Sequence, residues 1–176
     1  MTCINFETLE LLNFQTPSMS AQVLSAVQRI PAGLDELWLF FSDPMNLLKI
    51  TPPSMDFRVT STHQGDSIYA GQIIEYTVKP LLGISVYWMT EITHVKHGEY
   101  FVDEQRKGPY SLWHHQHHFK KIDGGVEMTD IVHYGIPFGI FGKLAGKLFV
   151  KKKLDSIFEY RREVIEKTFG KWSGVL

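Results

Sequence analysis

The residues best suited to chemistry lie in one short segment, SLWHHQHHF at 111–119, which holds four of the chain's eight histidines. An imidazole can bind a metal ion, act as an acid or base near neutral pH, or form a polar wall of a cavity. Alternate side chains of a strand point to opposite faces. Because Trp113 and Phe119 share parity, the strand is predicted to bury His115 and His117 with them.

Neighbouring strands are predicted to add polar groups to the same inner face. In YFVDEQRK at 100–107, Phe101 brings Asp103 and Gln105 inward and Val102 points outward. Together with the strand at 126–136, this gives a predicted polar belt of Asp103, Gln105, His115, His117, Asp130 and Tyr134. The predicted apolar wall consists of Tyr76, Trp88, Phe101, Trp113, Phe119, Val132 and Phe158. An unpaired buried polar group costs about 1–3 kcal/mol, so the belt must be paired internally, hydrated or matched to a ligand.

Three interpretations of the belt stay open. His115 and His117 could bind a metal with an oxygen from Asp103 or Asp130, but two histidines without a fixed third ligand are a weak signal. No metal and no cofactor is therefore assigned. In a catalytic interpretation, His117 or His115 is a general base oriented by Asp130, and Tyr134 is an acid or oxyanion donor; this suits enolisation, aldol closure and dehydration. In the third interpretation, the same residues stabilise the sheet through their hydrogen bonds or position the polar end of a ligand.

Seven strands and a long helix are predicted to position these residues. Period-two patterns and turn signals favour strands at 21–30, 55–62, 67–80, 84–95, 100–107, 111–122 and 126–136. Inward-facing residues before the histidine strand are predicted to be Ile74, Tyr76, Val78, Ile84, Val86, Trp88 and Ile92. Two short helices are predicted at 33–43 and 43–50, the second with Asp43 as N-cap and Pro44 as its first residue.

The final element is predicted to be a helix from Ile140 to Phe169. Its apolar face is predicted to contain Leu144, Leu148, Phe158, Ile165 and Phe169, broadened by Leu154, Ile157 and Val164. The order of elements indicates an α+β fold in which this helix covers one face of an antiparallel sheet. A gap between a curved sheet and such a helix is suited to a small ligand.

Composition limits the possible functions and compartments. The chain has 176 residues, 44% hydrophobic and 13% aromatic, with a formal net charge of −1, which argues against a nucleic-acid-binding face. Its one cysteine excludes an internal disulfide, and the amino-terminal residues make a poor secretory signal, so a cytoplasmic location is expected. We expect an extension at 1–19, one domain at 20–170 and a tail at 171–176, with the oligomeric state open.

Basic residues near the carboxyl terminus are interpreted mainly as solvated helix surface. The run KLAGKLFVKKK at 143–153 contains five lysines, so a weak contact of Lys143–Lys153 with an anionic membrane surface is an additional expectation. Arg161 and Arg162 are likewise predicted to lie on the solvated surface.

Four segments carry a resemblance to a known family: FFSDPMNLLKITPP, FVDEQRKGPYSLWHHQHHF, MTDIVHYGIPFGIFGKL and IFEYRR. They resemble the START-like (SRPBCC, helix-grip) superfamily, in particular its bacterial polyketide cyclase/dehydrase-like proteins, over about residues 20–170. The resemblance implies a seven-stranded curved antiparallel sheet wrapped around a long C-terminal helix. It also implies a carrier or sensor of a small hydrophobic ligand such as a lipid, quinone or polyketide, or alternatively a cyclase, aromatase or dehydratase.

Overall fold

The computed structural model describes residues 21–61, 67–80, 83–137 and 145–173. The predicted extension at 1–19 lies outside this range. The strands are β1 (Gln22–Ile30), β2 (Arg58–Val59), β3 (Gln72–Val78), β4 (Val86–Lys96), β5 (Tyr100–Lys107), β6 (Leu112–Ile122) and β7 (Gly125–Gly135). The helices are α1 (Leu34–Phe41) and α2 (Ala145–Phe169), and two 3₁₀ turns (Pro44–Leu48 and Pro53–Met55) follow α1.

All seven strands form one antiparallel sheet in the order β1-β7-β6-β5-β4-β3-β2. Strands β2 to β6 each pair with the next strand in the chain, and β1 pairs with β7 at one edge. Register shifts interrupt the β4–β5 pairing at two places, and such irregularities bend a sheet. With the long helix, this confirms the predicted α+β helix-grip fold.

Proline and glycine explain where the predicted boundaries were wrong. The predicted strand at 55–62 is reduced to Arg58–Val59, because Pro53–Met55 forms a 3₁₀ turn and Asp56 has a left-handed φ of 42°. The strand predicted from 67 begins only at Gln72, since Gly71 has a φ of 90°. The second short helix is a 3₁₀ turn, and Asp43 caps it as predicted by accepting a hydrogen bond from the amide of Met45 at 2.9 Å.

Helix α2 packs its apolar residues against the sheet in two groups. Val150 and Leu154 contact a cluster that contains Val132 and Tyr134, whereas Ile165 belongs to the main core with Trp38 and the inner residues of the sheet. The placement of Leu148 on the apolar face was wrong, because its side chain is 57% exposed. Residues 140–144 of the predicted helix, including Leu144, lie outside the described residues.

Strand parity sorts most of the sheet correctly. Trp88, Phe119 and Asp130 are buried as predicted. Ile84 was wrongly assigned inward: it precedes the start of β4 and is 61% exposed. Val102 does point away from the inner face, yet it is buried, because it lies between its cross-strand partners His94 and Gln116 on the outer face.

No helix within the described ranges is both long enough and apolar enough to cross a membrane. The helix α2 has the length, at about 37 Å for 25 residues. Exposed charged residues such as Lys151, Lys152 and Asp155 interrupt its apolar surface.

Gly125 should be needed where β7 begins. A Cβ at this position would lie only 2.1 Å from the carbonyl oxygen of Ile30, a backbone atom that cannot move aside without disturbing β1. We therefore expect Gly125→Ala to lower the free energy of unfolding by about 1–3 kcal/mol, the usual cost of overpacking. Urea denaturation measures the change.

The matched control is Gly33→Ala, where an added Cβ meets nothing within 4 Å. Equal losses for the two variants would contradict the close approach of β1 and β7.

Candidate functional site

A cavity of about 190 Å³ lies between the inner face of the sheet, the 3₁₀ turns and α2. Its walls are mainly apolar, and several of the aromatic residues predicted for the wall line it: Tyr76, Trp88, Phe101, Trp113 and Phe158. Trp88 packs edge-on against Trp113 with ring centroids 5.3 Å apart, and Tyr76 stacks on Trp88 at 5.8 Å. These ring contacts give the cavity a rigid aromatic side.

Polar side chains form one end of this cavity. Asp103 from β5, His115 and His117 from β6 and Arg161 from α2 all line it. Asp130 from β7 lies behind the two imidazoles and does not line this cavity. Neighbouring antiparallel strands bring Asp103 opposite His115 and His117 opposite Asp130, so sheet register alone assembles four of these five residues.

Two carboxylate oxygens hold both histidine rings between them. The Nε2 of His117 lies 2.9 Å from Oδ2 of Asp103, and its Nδ1 lies 2.9 Å from Oδ1 of Asp130. The Nε2 of His115 is also 2.9 Å from Oδ1 of Asp130, whereas its Nδ1 is 3.4 Å from Oδ2 of Asp103. The ring centroids are 3.8 Å apart. His117 therefore has a carboxylate oxygen 2.9 Å from each ring nitrogen, and both negative charges favour its protonated form.

Electrostatics favour charged carboxylates and a single imidazolium in this cluster. Burial alone would raise the pKa of Asp130, but the charge of Arg161 and hydrogen bonds from both histidines hold this pKa well below its usual range. Burial has the same effect on Asp103, and His115 and His117 outweigh it to lower the pKa of that carboxyl group.

The pKa values of the two histidines are shifted in opposite directions. Burial would lower the pKa of His117, but its hydrogen bonds to Asp103 and Asp130 raise it. Burial and the charge of His117 together lower the pKa of His115. Two negative carboxylates then balance the positive charges of His117 and Arg161.

Arg161 was wrongly predicted to be solvated surface. Its side chain is 8% exposed, with Nη1 3.4 Å from Oδ1 of Asp130 and Nη2 3.4 Å from Nδ1 of His117. The guanidinium also lies over the rings of Phe41 and Phe158, at 5.2 and 5.7 Å from their centroids. From α2 it therefore supplies positive charge that compensates the buried carboxylates.

A sequence signal for this placement does exist. Arg161 follows Leu154 by seven residues and Phe158 by three, and it precedes Ile165 by four. It therefore continues the apolar stripe of α2. Arg162, one position further round the helix, pairs with Glu159 and Glu166 at the surface as the prediction for it implies.

Four other predicted residues do not line the cavity. The side-chain amide of Gln105 makes hydrogen bonds of 2.7 and 3.2 Å with the backbone of Tyr110 and so stabilises the turn after β5. Phe119 packs in the core against Trp38. Val132 and Tyr134 pack with Val150 and Leu154 nearer the amino-terminal end of α2, and of these four residues Leu154 is the one that lines the cavity.

Tyr134 is held by a second interaction as well. Its hydroxyl donates a hydrogen bond of 3.0 Å to Oε1 of Gln22 on the edge strand β1. The predicted acid or oxyanion donor therefore has its hydroxyl engaged outside the cavity.

Several polar groups of the wall were not anticipated from the sequence. Thr90 shares a hydrogen bond of 2.8 Å with the hydroxyl of Tyr76, and burial together with the charge of Asp103 raises the pKa of Tyr76. Among the described residues, Nε1 of Trp88 and Nε of Arg161 are buried without a hydrogen-bond acceptor. Two unpaired donors at the cavity residues favour an oxygen acceptor on whatever the cavity binds.

A second cavity of about 190 Å³ lies on the other side of the cluster, between β1 and α2. Asp130, Phe158 and Arg161 line it together with polar residues such as Gln28 and Asp155. Phe158 and Arg161 line both cavities, so these two side chains form part of the wall between them.

Asp103, His115 and His117 also satisfy a distance requirement for metal binding. One ligand atom from each lies within 4.8 Å of the others, and within the described ranges this is the one group of at least three such residues that does so. No metal was predicted for them from the sequence.

Comparison with known proteins identifies the fold. No protein-family model and no curated protein matches the chain. Among solved structures, a START superfamily protein from Mycobacterium smegmatis aligns with a TM-score of 0.63 at 10% identity, over 84% of this chain and 96% of that one. Protein CV1439 from Chromobacterium violaceum aligns with a TM-score of 0.63 at 13% identity, over 85% and 99% of the two chains.

Protein Ms6760 from Mycobacterium smegmatis aligns with a TM-score of 0.60 at 17% identity, over 85% of this chain and 92% of that one. At these identities the similarity concerns the fold alone. The chain thus has the START-like fold that its sequence motifs predicted.

Removing the charge of Arg161 should destabilise the protein strongly. In Arg161→Met, Asp130 would stay buried without its cationic partner from α2, and breaking a buried ion pair costs about 3–5 kcal/mol. We expect a loss of this size in the free energy of unfolding, measured by urea denaturation at neutral pH.

Arg162→Gln is the matched control, since it removes a neighbouring arginine whose ion pairs lie at the surface. It should leave the urea midpoint almost unchanged. Similar small effects of both substitutions would contradict the role given to Arg161.

Proposed function

We propose that the protein binds a small, mostly apolar molecule with an oxygen-bearing group at one end, in the cavity between the sheet and α2. The observation that carries this proposal is the asymmetry of the cavity. Its walls are mostly aromatic and aliphatic, and its buried charged cluster consists of Asp103, His115, His117 and Arg161. Asp43 and Asn46 also line it, but both are engaged in backbone hydrogen bonds at the first 3₁₀ turn. Apolar burial would supply affinity, and the polar end would set orientation.

The size of the cavity limits the guest. An engineered apolar cavity of about 150 Å³ binds benzene, and this cavity measures about 190 Å³. A molecule with one or two rings fits this volume better than a lipid with long acyl chains. The unpaired Nε1 of Trp88 supports a carbonyl, phenol or other oxygen acceptor on the guest. The role would be that of a carrier or sensor, as for the hydrophobic ligand expected from the sequence.

An enzyme of the cyclase, aromatase or dehydratase kind is the alternative. Of the three residues predicted for such chemistry, only His117 lines the cavity. Asp130 lies behind the imidazoles, and the hydroxyl of Tyr134 donates to Gln22. The geometry therefore favours binding over catalysis, and turnover stays a prediction.

The expected membrane contact through Lys143–Lys153 also stays a prediction. Lys143 lies outside the described residues. Leu148 is exposed beside Lys151 and Lys152, which suits a membrane surface, but Lys151 already pairs with Asp155 at 2.8 Å. This acidic partner reduces the attraction to anionic lipid.

Naphthalene and 2-naphthol are suitable probes for the cavity. We expect both to bind with one-to-one stoichiometry, and 2-naphthol to bind more tightly because its oxygen can reach the polar end. Two-dimensional NMR would follow the indole N–H signals of Trp88 and Trp113, which line the cavity. The proposal is refuted if neither probe binds.

A variant that fills the cavity makes the test specific. Ile157 lines the cavity from α2, so Ile157→Trp should weaken the binding of both probes at least tenfold. Leu39→Trp adds the same indole on an exposed position of α1 and should leave binding unchanged. If Ile157→Trp retains full affinity, the probes bind elsewhere.

A further inference from the structure

The two imidazoles of the cluster are oriented as they are in many metal sites. Nε2 of His115 is hydrogen-bonded to Oδ1 of Asp130 at 2.9 Å, and Nδ1 of His117 lies 2.9 Å from the same oxygen. Histidines that bind metals commonly donate their other ring N–H to a carboxylate, which sets the tautomer and the ring orientation. Asp130 would do this for His115 through its hydrogen bond, and it lies at the same distance from Nδ1 of His117. The opposite nitrogens, Nδ1 of His115 and Nε2 of His117, lie near Asp103.

These opposite nitrogens and Asp103 have the separations that a small cation requires. Two ligands about 2.1 Å from a tetrahedral ion lie about 3.4 Å apart. Oδ2 of Asp103 is 3.4 Å from Nδ1 of His115 and 2.9 Å from Nε2 of His117. A widening of about 0.5 Å at the shorter distance is enough to admit an ion with these ligand distances.

Arg161 distinguishes the two carboxylates. Its Nη1 lies 3.4 Å from Asp130, so a fixed positive charge already stands on that side of the imidazoles. Among the described residues, the close charged partners of Asp103 are the two histidines. The charge of Arg161 also reaches Asp103, but no ion pair joins the two among the described residues, so a metal cation meets less repulsion beside Asp103 than beside Asp130.

We propose that Asp103, His115 and His117 form a binding site for a divalent first-row transition metal such as Zn²⁺, with Asp130 as the carboxylate that orients both histidines. Two imidazoles and one carboxylate suit these ions, and three protein ligands leave at least one coordination position for another group. All three ligands line the apolar cavity and Asp130 does not, so the remaining position faces the cavity.

The charges of the site define what that position would accept. Metal binding at Nε2 of His117 displaces its proton, so both histidines are then neutral. A divalent cation and Arg161 carry three positive charges against the two negative charges of Asp103 and Asp130. The remaining positive charge favours an anionic oxygen, such as hydroxide, a carboxylate or an enolate. This site lies at the polar end of the cavity proposed to bind a ligand, but metal binding does not require that ligand and can be measured without it.

The experiment is a titration of the chelator-treated full-length protein with Co²⁺ and with Zn²⁺. We expect one equivalent of metal by elemental analysis, visible absorption bands of Co²⁺ typical of four or five coordination, and a higher melting temperature with Zn²⁺. The wild-type result stands by itself if a variant fails to fold: less than a stoichiometric amount of tightly bound metal would overturn the proposal.

Variants locate the ion. His117→Gln and Asp103→Asn should each weaken Co²⁺ binding by at least a hundredfold, and Asp130→Asn by about 10–100-fold, as for other residues that orient metal ligands. His118→Gln is the control, since His118 lies on the same strand but on the opposite face, where it bonds Gln116 at 2.9 Å. Loss of metal binding in His118→Gln, or full binding in His117→Gln, would assign the metal to the outer histidines and overturn the proposal.

The outcome is separable from that of the proposed ligand binding. Naphthalene has no atom that coordinates a metal, so its binding tests the cavity alone. A protein that binds naphthalene and no metal keeps the first proposal and loses the second, and a protein that binds metal and no naphthalene does the reverse.

Discussion

The arrangement of the inner face depends on the opposed carboxylates of Asp103 and Asp130, which hold two imidazoles between them. Two buried negative charges so close together are costly unless positive charge is supplied nearby. His117 supplies part of it from the sheet, and Arg161 supplies the rest from α2. The position of the helix over the sheet is thus tied to the charge balance of the cluster as well as to apolar packing.

This constraint also explains why the cavity has a polar end. The guanidinium of Arg161 must stay close to Asp130, and it therefore occupies space beside the cavity that an apolar side chain could otherwise fill. There it lies over the rings of Phe41 and Phe158. Aromatic rings tolerate a cation on their faces. The same rings therefore serve the apolar cavity and the charged cluster.

Much of this arrangement was predictable from the strands, because a strand has only two faces. Once Trp113 and Phe119 define the inner face of β6, the parity of His115 and His117 follows. Antiparallel pairing of successive strands then brings Asp103 and Asp130 beside them. Parity could not predict how far along each strand the cavity extends, which is why Val132 and Tyr134 were assigned to it although they pack beside Val150 and Leu154.

The contribution of the helix was harder to predict. A helix presents side chains in all directions, and an arginine next to another arginine is usually solvated. Arg161 is buried because a carboxylate in another element, Asp130, compensates its charge. The sequence of α2 alone does not reveal this partner. Its position on the apolar stripe of Leu154, Phe158 and Ile165 was the available signal. Gln105 was misassigned for a related reason, since its partner is the backbone of the turn at Tyr110.

The pairing of β1 with β7 has a consequence for synthesis of the chain. Of the strands in the described residues, the first to leave the ribosome has its sheet partner in the last one, so its backbone N–H and C=O groups stay unpaired until β7 emerges. Closing so long a loop is slow, and an unpaired strand edge is prone to self-association. A chain interrupted before Gly135 would therefore be expected to aggregate rather than persist as a partial fold, and the emergence of β7 becomes the step that secures the sheet.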